Sequence, residues 1–191
     1  MELYTLEQIT LGFLAGGKGQ RLKNRDKGLL VIDGQPQIGR LIDQIPEHRT
    51  NVFIVCRRNA WLYAHYATHI FCDASRDQGP TAGVVALLDA CHTSHLAIIP
   101  CDQQHIPSHW RAWLQDAGNH GDTGYFATEA GQHTPLSLIP TNQKNKATDY
   151  YDGGGRSLFG LYQALALSPL ECPGAASDID MSSQLNALGD H

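Results

Sequence analysis

The sequence lacks the features that mark secreted, membrane-spanning and disulfide-rich proteins. No apolar run approaches the roughly 20 residues that cross a bilayer. The opening residues, MELYTLEQIT, carry acids where a signal peptide carries bases. The five cysteines are odd in number and no two form a C-x-x-C pair, which favours free thiols in a reducing compartment. We therefore expect a cytoplasmic protein with no membrane partner.

Common metal and nucleotide signatures are also missing. The ten histidines occur without an H-E-x-x-H motif, and we expect His65 and His69, which are four residues apart, to be exposed rather than to bind a metal. A Walker A loop is excluded because no Gly-Lys pair is followed by Ser or Thr. A dinucleotide fingerprint is excluded because Leu22 stands where the third glycine of G-x-G-x-x-G belongs.

Positive charge is concentrated in one short segment, although the net charge is -5. Five of the 14 lysines and arginines follow a double glycine: Lys18, Arg21, Lys23, Arg25 and Lys27. The overall negative charge argues against a nucleic-acid partner. A strand followed by glycines and bases favours a small phosphate-containing anion, because unobstructed amides can approach its oxygens. A solvated basic turn is the alternative, and it suits Lys23 and Arg25 equally well.

Short apolar runs alternate with segments of helical spacing along the chain. The predicted strands are residues 9–15, 51–56, 69–72 and 95–101, and the predicted helices are residues 36–45, 60–67 and 81–91. Near-continuous apolar strands between helices predict a three-layer α/β/α sandwich with a mostly parallel, doubly wound (Rossmann-like) sheet. For the rest we predict strands at 123–128 and 134–139, paired antiparallel, a helix at 157–167 and a mobile loop at 152–155.

The length of 191 residues suits a single domain, which we expect to span residues 1–191. In doubly wound sheets, ligands bind beyond the carboxyl ends of the strands. These ends read AGGKGQR, CRRN, CDASRD and PCDQQ, and most of them are polar or charged. Two cysteines at these ends, Cys56 and Cys101, are expected to be buried, and Trp110 and Trp113 to form the inner face of a helix.

Four ordered motifs resemble those of the sugar-nucleotide pyrophosphorylase-like nucleotidyltransferases, and in particular the molybdenum cofactor guanylyltransferases. The segment from Leu14 to Leu29 is similar to their L-A-G-G-x-G-x-R...D-K-x-L, and DGQP at 33–36 to their G-x-P. QGPTAG at 78–83 is similar to Q-G-P-L-A-G, and IPCDQQHIP at 99–107 to x-P-C-D-x-P-x-x-P. Departures occur at Lys23 and Asn24, at Cys56, at Gln103 and Gln104, and at residues 178–180, where D-I-D replaces N-x-N.

This resemblance implies a sheet of the nucleotide-diphospho-sugar transferase type, with a nucleotide-binding half (residues 1–107) and an acceptor-binding half (residues 108–191). It implies transfer of GMP from GTP to molybdopterin with release of pyrophosphate, Mg²⁺ as cofactor, and transient contact with molybdoenzymes or other cofactor-pathway proteins. Gly16 favours guanine, because related cytidylyltransferases show L-A-A-G. Two alternatives stay open: a cytidylyl- or guanylyltransferase acting on another phosphorylated acceptor, and a catalytically impaired nucleotide-binding carrier.

The resemblance and the chemistry of the residues give a set of candidate site residues. The catalytic candidates are Lys27, Arg21 and Asp102. The nucleotide-binding candidates are Leu14, Ala15, Gly16, Gly17, Lys18, Gly19, Lys27, Asp73, Gly79, Pro80 and Asp102. Asp102 is the metal candidate, because Mg²⁺ bound to phosphates needs only one or two protein carboxylates. Asp180 is a second metal candidate, and Asp178 and Asp180 are acceptor-binding candidates. The alternatives are a helix cap for Asp102, a turn residue for Asp73 and an exposed acidic turn for the last two.

Overall fold

The computed structural model describes residues 9–16, 25–45, 51–72, 79–103, 106–107, 110, 113–114, 123–127 and 133–171. Its strands are β1 (Ile9–Ala15), β2 (Val31–Ile32), β3 (Gln35–Pro36), β4 (Val52–Cys56), β5 (His69–Cys72), β6 (His95–Pro100), β7 (Gly124–Ala127), β8 (His133–Pro140) and β9 (Ser168–Glu171). Its α-helices are α1 (Gln37–Asp43), α2 (Ala60–Tyr63), α3 (Gly79–Ala90), α4 (Lys144–Asp152) and α5 (Leu158–Ala164). Short 3₁₀ turns cover Lys27–Leu29 and Thr141–Gln143.

Seven strands form one sheet in the order β5-β4-β1-β6-β8-β7-β9, and β2 and β3 form a small separate hairpin. Strands β5, β4, β1 and β6 are all parallel. Strand β8 is antiparallel to both β6 and β7, and β9 is parallel to β7. The carboxyl ends of β1, β4, β5 and β6 therefore share one edge of the sheet.

Both faces of the sheet are covered, because successive side chains of each strand point to opposite sides. Leu11 and Phe13 of β1 pack with Ile38 and Leu41 of α1 on one face. On the other face, strand residues that include Phe53, Val55, Leu96 and Ile98 pack with Val84, Leu87 and Leu88 of α3 and with Leu161 and Tyr162 of α5. We call these coverings the α1 layer (α1 and α2) and the α3 layer (α3, α4 and α5).

The predicted three-layer sandwich is confirmed, and so are the parallel strands of the first half and the antiparallel pair β7–β8. The helix predicted at 60–67 is wrong in length, because it ends at Tyr63. The mobile-loop prediction at 152–155 is wrong for Asp152, which ends α4, and the amides of Gly153 and Gly155 bond back to the carbonyls of Asp149 and Tyr150. Helix α4 was not predicted, because its sequence, KNKATDYYD, contains only one buried residue, Ala147, and so lacks an apolar pattern of helical spacing.

None of the helices in the described part of the chain has the length and apolar character needed to span a bilayer. The four described cysteines, Cys56, Cys72, Cys91 and Cys101, are free thiols, as the sequence predicted. Trp110 is fully buried, and the ring of Trp113 lies 4.9 Å from that of Phe126, edge to face.

Candidate functional site

The carboxyl ends of β1 and β6 lie side by side at the edge where the sequence predicted a ligand site. The amide of Cys101 donates a hydrogen bond of 3.1 Å to the carbonyl of Leu14. This bond places Ala15 and Gly16, which begin the glycine-rich segment, next to Asp102. The neighbouring β4 adds a cationic residue, since a Cβ built on Gly16 would lie 3.5 Å from Cγ of Arg57.

Lys27 and Asp102, two of the three catalytic candidates, meet directly. The Nζ of Lys27 donates to Oδ2 of Asp102 at 2.9 Å, across 75 positions in the sequence. Their side chains are 31% and 45% exposed. An ion pair this accessible contributes about 0–1 kcal/mol to stability. The pair is thus a poor stabiliser, and its value lies in holding a cation and a carboxylate beside the glycine-rich segment.

The neighbour of Lys27, Asp26, is held by residues that the sequence analysis did not select. The hydroxyl of Tyr63 donates to Oδ1 of Asp26 at 2.5 Å. The side-chain amide of Asn59 donates to Oδ2 at 3.1 Å. Burial, together with this bond to Asp26, raises the pKa of the Tyr63 phenol, so the hydroxyl remains a donor. Both oxygens of Asp26 are thereby fixed from one side of the sheet.

The turn that carries Lys27 packs closely on the same tyrosine. The amide of Leu29 donates to the carbonyl of Asp26 at 3.1 Å, which closes the 3₁₀ turn. Gly28 is buried in this turn, and a Cβ built there would lie 2.5 Å from the hydroxyl oxygen of Tyr63. Glycine is required here by space, because the tyrosine hydroxyl occupies the volume that any side chain would need.

Helix α1 holds the loop that follows Asp102. The buried side-chain amide of Gln37 donates to the carbonyl of Gln103 at 2.5 Å. At the carboxyl cap of the same helix, Oε1 of Gln44 accepts from the amide of Ile106 at 2.8 Å. These two glutamines therefore hold the backbone at Gln103 and at Ile106, just after Asp102.

Two further candidates, Gly79 and Pro80, begin helix α3. Gly79 has a φ of 69°, and a Cβ built on it would lie 2.6 Å from the carbonyl oxygen of Arg156. Glycine is needed at this position both for the left-handed conformation and for the close approach. A Cβ built on Gly83, one turn later, would lie 3.0 Å from Leu14. The amino end of α3 therefore lies beside the carboxyl end of β1.

Of the described members of the predicted site, Lys27 and Asp102 meet directly, and Leu14, Ala15 and Gly16 lie at the end of the neighbouring strand β1. Gly79 and Pro80 begin the helix whose first turns lie beside that strand end. The remaining candidates lie outside the described residues: Gly17, Lys18, Gly19, Arg21, Asp73, Asp178 and Asp180. The sequence reasoning missed Asp26, Gln37, Gln44, Arg57, Asn59 and Tyr63. For Asp26 the signal was its place beside Lys27 in the D-K motif, and for Arg57 it was the strand end CRRN. The others carry no local signal.

The residues at this edge suit a magnesium ion bound to phosphates better than an all-protein metal cage. Within the described part of the chain, no three His, Cys, Asp or Glu side chains are grouped to hold a metal ion. Asp102 offers one partly exposed carboxylate, which is the usual contribution of a protein to Mg²⁺ that is also bound by phosphates and water. His65 and His69 are both exposed, as predicted.

The buried cysteines at this edge are unsuited to nucleophilic chemistry. Burial, with smaller contributions from Cys72 and Asp26, raises the pKa of Cys56 to about 12. Burial also raises the pKa of Cys101, and the charge of Asp102 adds to the effect. Both therefore remain neutral thiols near pH 7 and behave as small apolar side chains, as the sequence predicted.

The chain is similar to proteins of one known family over most of its length. Residues 12–166 match the family described as the MobA-like NTP transferase domain. The molybdenum cofactor guanylyltransferase of Ectopseudomonas mendocina is 34% identical over 163 residues, which is 84% of this chain and 80% of that protein. That of Pseudomonas aeruginosa is 37% identical over 155 residues, 80% of this chain and 78% of that protein.

A solved structure with a similar fold is the molybdopterin-guanine dinucleotide biosynthesis protein A of Archaeoglobus fulgidus. It superposes with a TM-score of 0.66 and covers 94% of this chain and 99% of that one. Its sequence is 16% identical, so the likeness concerns the fold. The central sheet and its helical layers are therefore those of the nucleotide-diphospho-sugar transferase type that the sequence predicted.

Proposed function

Since the chain belongs to the MobA-like NTP transferase domain family, we propose that it transfers GMP from GTP to molybdopterin and releases pyrophosphate. Transfer of a guanylyl group to the molybdenum cofactor is the activity that the names of its relatives state. The observation in the structure that supports this function most directly is the Lys27–Asp102 pair at the carboxyl edge, next to the start of the glycine-rich segment.

The transfer is an in-line attack of an acceptor phosphate oxygen on the α-phosphorus, so the protein must mainly position the two phosphates and neutralise charge. Amides of the segment from Ala15 to Gly19 bind phosphate oxygens in this proposal. Lys27 stabilises the negative charge that develops on the leaving pyrophosphate, as a point charge on a flexible stem. Arg21 grips a phosphate with two parallel N–H donors. Asp73 contacts the base or the ribose.

Asp102 holds Mg²⁺ in this proposal, with Asp180 as a second contact. When bound, the ion neutralises phosphate charge and aligns the reacting groups. The donor set at the sheet edge fits this role, because one carboxylate is accessible and the phosphates and water complete the coordination. Asp178 and Asp180 contact the acceptor in the second half of the chain, which we assign to residues 108–191.

The decisive experiment is a titration of the purified protein with GTP, CTP and ATP, each with and without Mg²⁺, followed by a pyrophosphate-release assay with molybdopterin. We expect Mg²⁺-dependent preference for GTP and turnover only when the acceptor is present. Preference for CTP would instead assign a cytidylyltransferase. Mg²⁺-dependent binding without any turnover would indicate the carrier, and absence of nucleotide binding would refute the proposal.

Two expectations about the cell rest on the cysteines and on the family, and not on the site. A cytoplasmic location agrees with the free thiols of the described cysteines. Transient contact with molybdoenzymes or other proteins of the cofactor pathway follows if the product has to be handed on. Cross-linking in cell extract before and after addition of GTP and molybdopterin measures whether such contact depends on the product.

A further inference from the structure

We propose that Asp26, Asn59 and Tyr63 form a clasp that sets the position of Lys27 for nucleotide binding. The three are positioning residues, because they act through Lys27. The inference deepens the proposed function and rests on it for its kinetic consequence.

The side chain of Asp26 bonds to residues distant in the sequence, although its position at the start of a turn favours a local bond. Asp26 occupies the capping position of the 3₁₀ turn Lys27–Leu29, where an aspartate commonly accepts a bond from the amides of its own turn. It makes no such side-chain bond within the described structure. Its two oxygens instead accept from Tyr63 and Asn59, which belong to the helix that follows β4 in the sequence and to its first capping position. The carboxylate of Asp26 therefore does not serve as a cap of its own turn.

The side chain of Asn59 also bonds outside its own helix. It lies at the start of α2 with a φ of 59° and a ψ of 28°, a left-handed conformation that asparagine tolerates better than most residues. It makes no side-chain cap to α2 in the described structure. Its amide group reaches Asp26, which is 33 positions away. Two residues in capping positions thus bond to one another and not to their own turns.

Tyr63 makes the clasp rigid. The side chain is fully buried among the apolar residues of the α1 layer, and its hydroxyl emerges at Asp26. Burial keeps the pKa of the phenol raised, so the donor stays protonated through the pH range of any assay. Gly28 packs against the same hydroxyl, so the turn that carries Lys27 cannot move closer to Tyr63.

Lys27 is the residue between these contacts. Its partner Asp102 is half exposed, and an ion pair in that setting holds a flexible lysine weakly. The clasp fixes the adjacent backbone on one side and the packing of Gly28 fixes it on the other. The ammonium is therefore held at Asp102, beside the carboxyl ends of β1 and β6, before a nucleotide binds, which lowers the ordering cost of binding.

The test compares Tyr63→Phe with Tyr162→Phe. Both tyrosines are buried and hydrogen-bonded, but the hydroxyl of Tyr162 donates at 2.8 Å to the carbonyl of Pro135 in the second half of the chain. We expect both variants to lower the melting temperature. Only Tyr63→Phe should lower kcat/KM for GTP, by about tenfold, the effect expected for loss of one hydrogen bond to a charged group. Equal kcat/KM in the two variants would overturn the clasp.

A rescue experiment separates positioning from simple stability. Asp26→Asn replaces one of the two accepting oxygens with an NH2 donor, so only one of the two present bonds can persist in its geometry. Asn59→Asp places two carboxylates against one another, so each variant alone should lose kcat/KM. The double variant D26N/N59D restores one amide donor opposite one carboxylate acceptor, with the direction of the bond reversed, and the amide oxygen at position 26 still accepts from Tyr63. We expect it to recover most of the activity as a non-additive effect. Additive losses would count against the clasp.

A measurement without nucleotide keeps this inference separate from the proposed function. The lysines are labelled by reductive ¹³C-methylation, and the Lys27 signal is assigned with Lys27→Arg. Tyr63→Phe should shift and broaden that signal, whereas Tyr162→Phe should leave it unchanged. If wild-type protein fails to use GTP but the signal shifts, the proposed function fails and the clasp stands. If the protein uses GTP and the signal does not respond, the clasp fails alone.

Discussion

The two helical layers that cover the sheet use their polar groups differently. In the α1 layer, Gln37, Gln44, Asn59 and Tyr63 all bond to the loops that carry Asp26 and Asp102. In the α3 layer, the hydroxyl of Tyr162 in α5 accepts from that of Ser137 in β8 at 3.1 Å, and Lys144 of α4 pairs with Asp89 of α3 at 2.5 Å. The first layer positions the candidate site, and the second mainly holds its own elements together.

The largest expected difference concerns the two ion pairs. Lys27→Ala or Asp102→Ala should lower kcat/KM for guanylyl transfer by about 10²- to 10³-fold, the usual cost of losing one group that stabilises developing charge. Lys144→Ala removes the exposed pair with Asp89 and should leave kcat/KM unchanged. All three should change the free energy of unfolding by about 1 kcal/mol or less. Steady-state kinetics and urea denaturation measure both effects. Full turnover by Asp102→Ala would refute the metal assignment.

The next prediction concerns the space beside Tyr63. Gly28→Ala should destabilise the protein by about 1–3 kcal/mol, because the added Cβ meets the tyrosine hydroxyl and a packed site accommodates extra volume poorly. Gly34→Ala is a contrasting variant, since a Cβ there meets no atom within 4 Å and only its φ of 81° opposes the change. Gly28→Ala should also lower affinity for GTP, which calorimetry measures. Unchanged GTP affinity would mean that the turn adapts without moving Lys27.

A similar loss of stability, with a smaller effect on activity, is expected from the contact between α1 and the Asp102 loop. Gln37→Leu removes the donor to the carbonyl of Gln103 and should cost about 1–3 kcal/mol, the range for a buried group that loses its partner. The matched change is Ser137→Ala in β8, which removes a buried donor to Tyr162 of the α3 layer. Only the first variant should raise the Mg²⁺ concentration needed for half-maximal activity. Equal Mg²⁺ dependence in the two variants would mean that the bond from Gln37 does not position the Asp102 loop.

The smallest prediction concerns pH and the opposite edge of the sheet. Burial lowers the pKa of His95, at the amino end of β6, below its usual 6.5. The unfolded chain therefore binds more protons than the folded protein once the pH falls below 6.5. The stabilising contribution of neutral His95 is fully present above pH 6.5, and it is lost as the pH falls towards the folded-state pKa. His95→Gln should flatten this slope in chemical denaturation between pH 5 and 7. An unchanged slope would mean that other titrating groups cause the pH dependence of stability.

Sequence patterns predicted the fold where local periodicity is strong. Strand β1 is predicted and observed at residues 9–15, because every second side chain serves one of two apolar layers. Helix α4 was missed because its contacts with α3 depend on an ion pair and on one buried alanine, neither of which produces a periodic signal. The candidate site shows the same division. Lys27 and Asp102 were recognisable from their motifs, whereas Tyr63 reads as an ordinary apolar position of a short helix.

The sequence by itself determined the class of the sheet, the polar strand ends and the family to which the chain belongs. These follow from the alternation of apolar residues and from short motifs, which are properties of neighbouring positions. Only the tertiary structure decided that Lys27 meets Asp102 and that Asp26 is held by Asn59 and Tyr63. The physical reason is that these contacts join segments 33 to 75 residues apart, and such contacts depend on strand order and on the packing of the α1 layer.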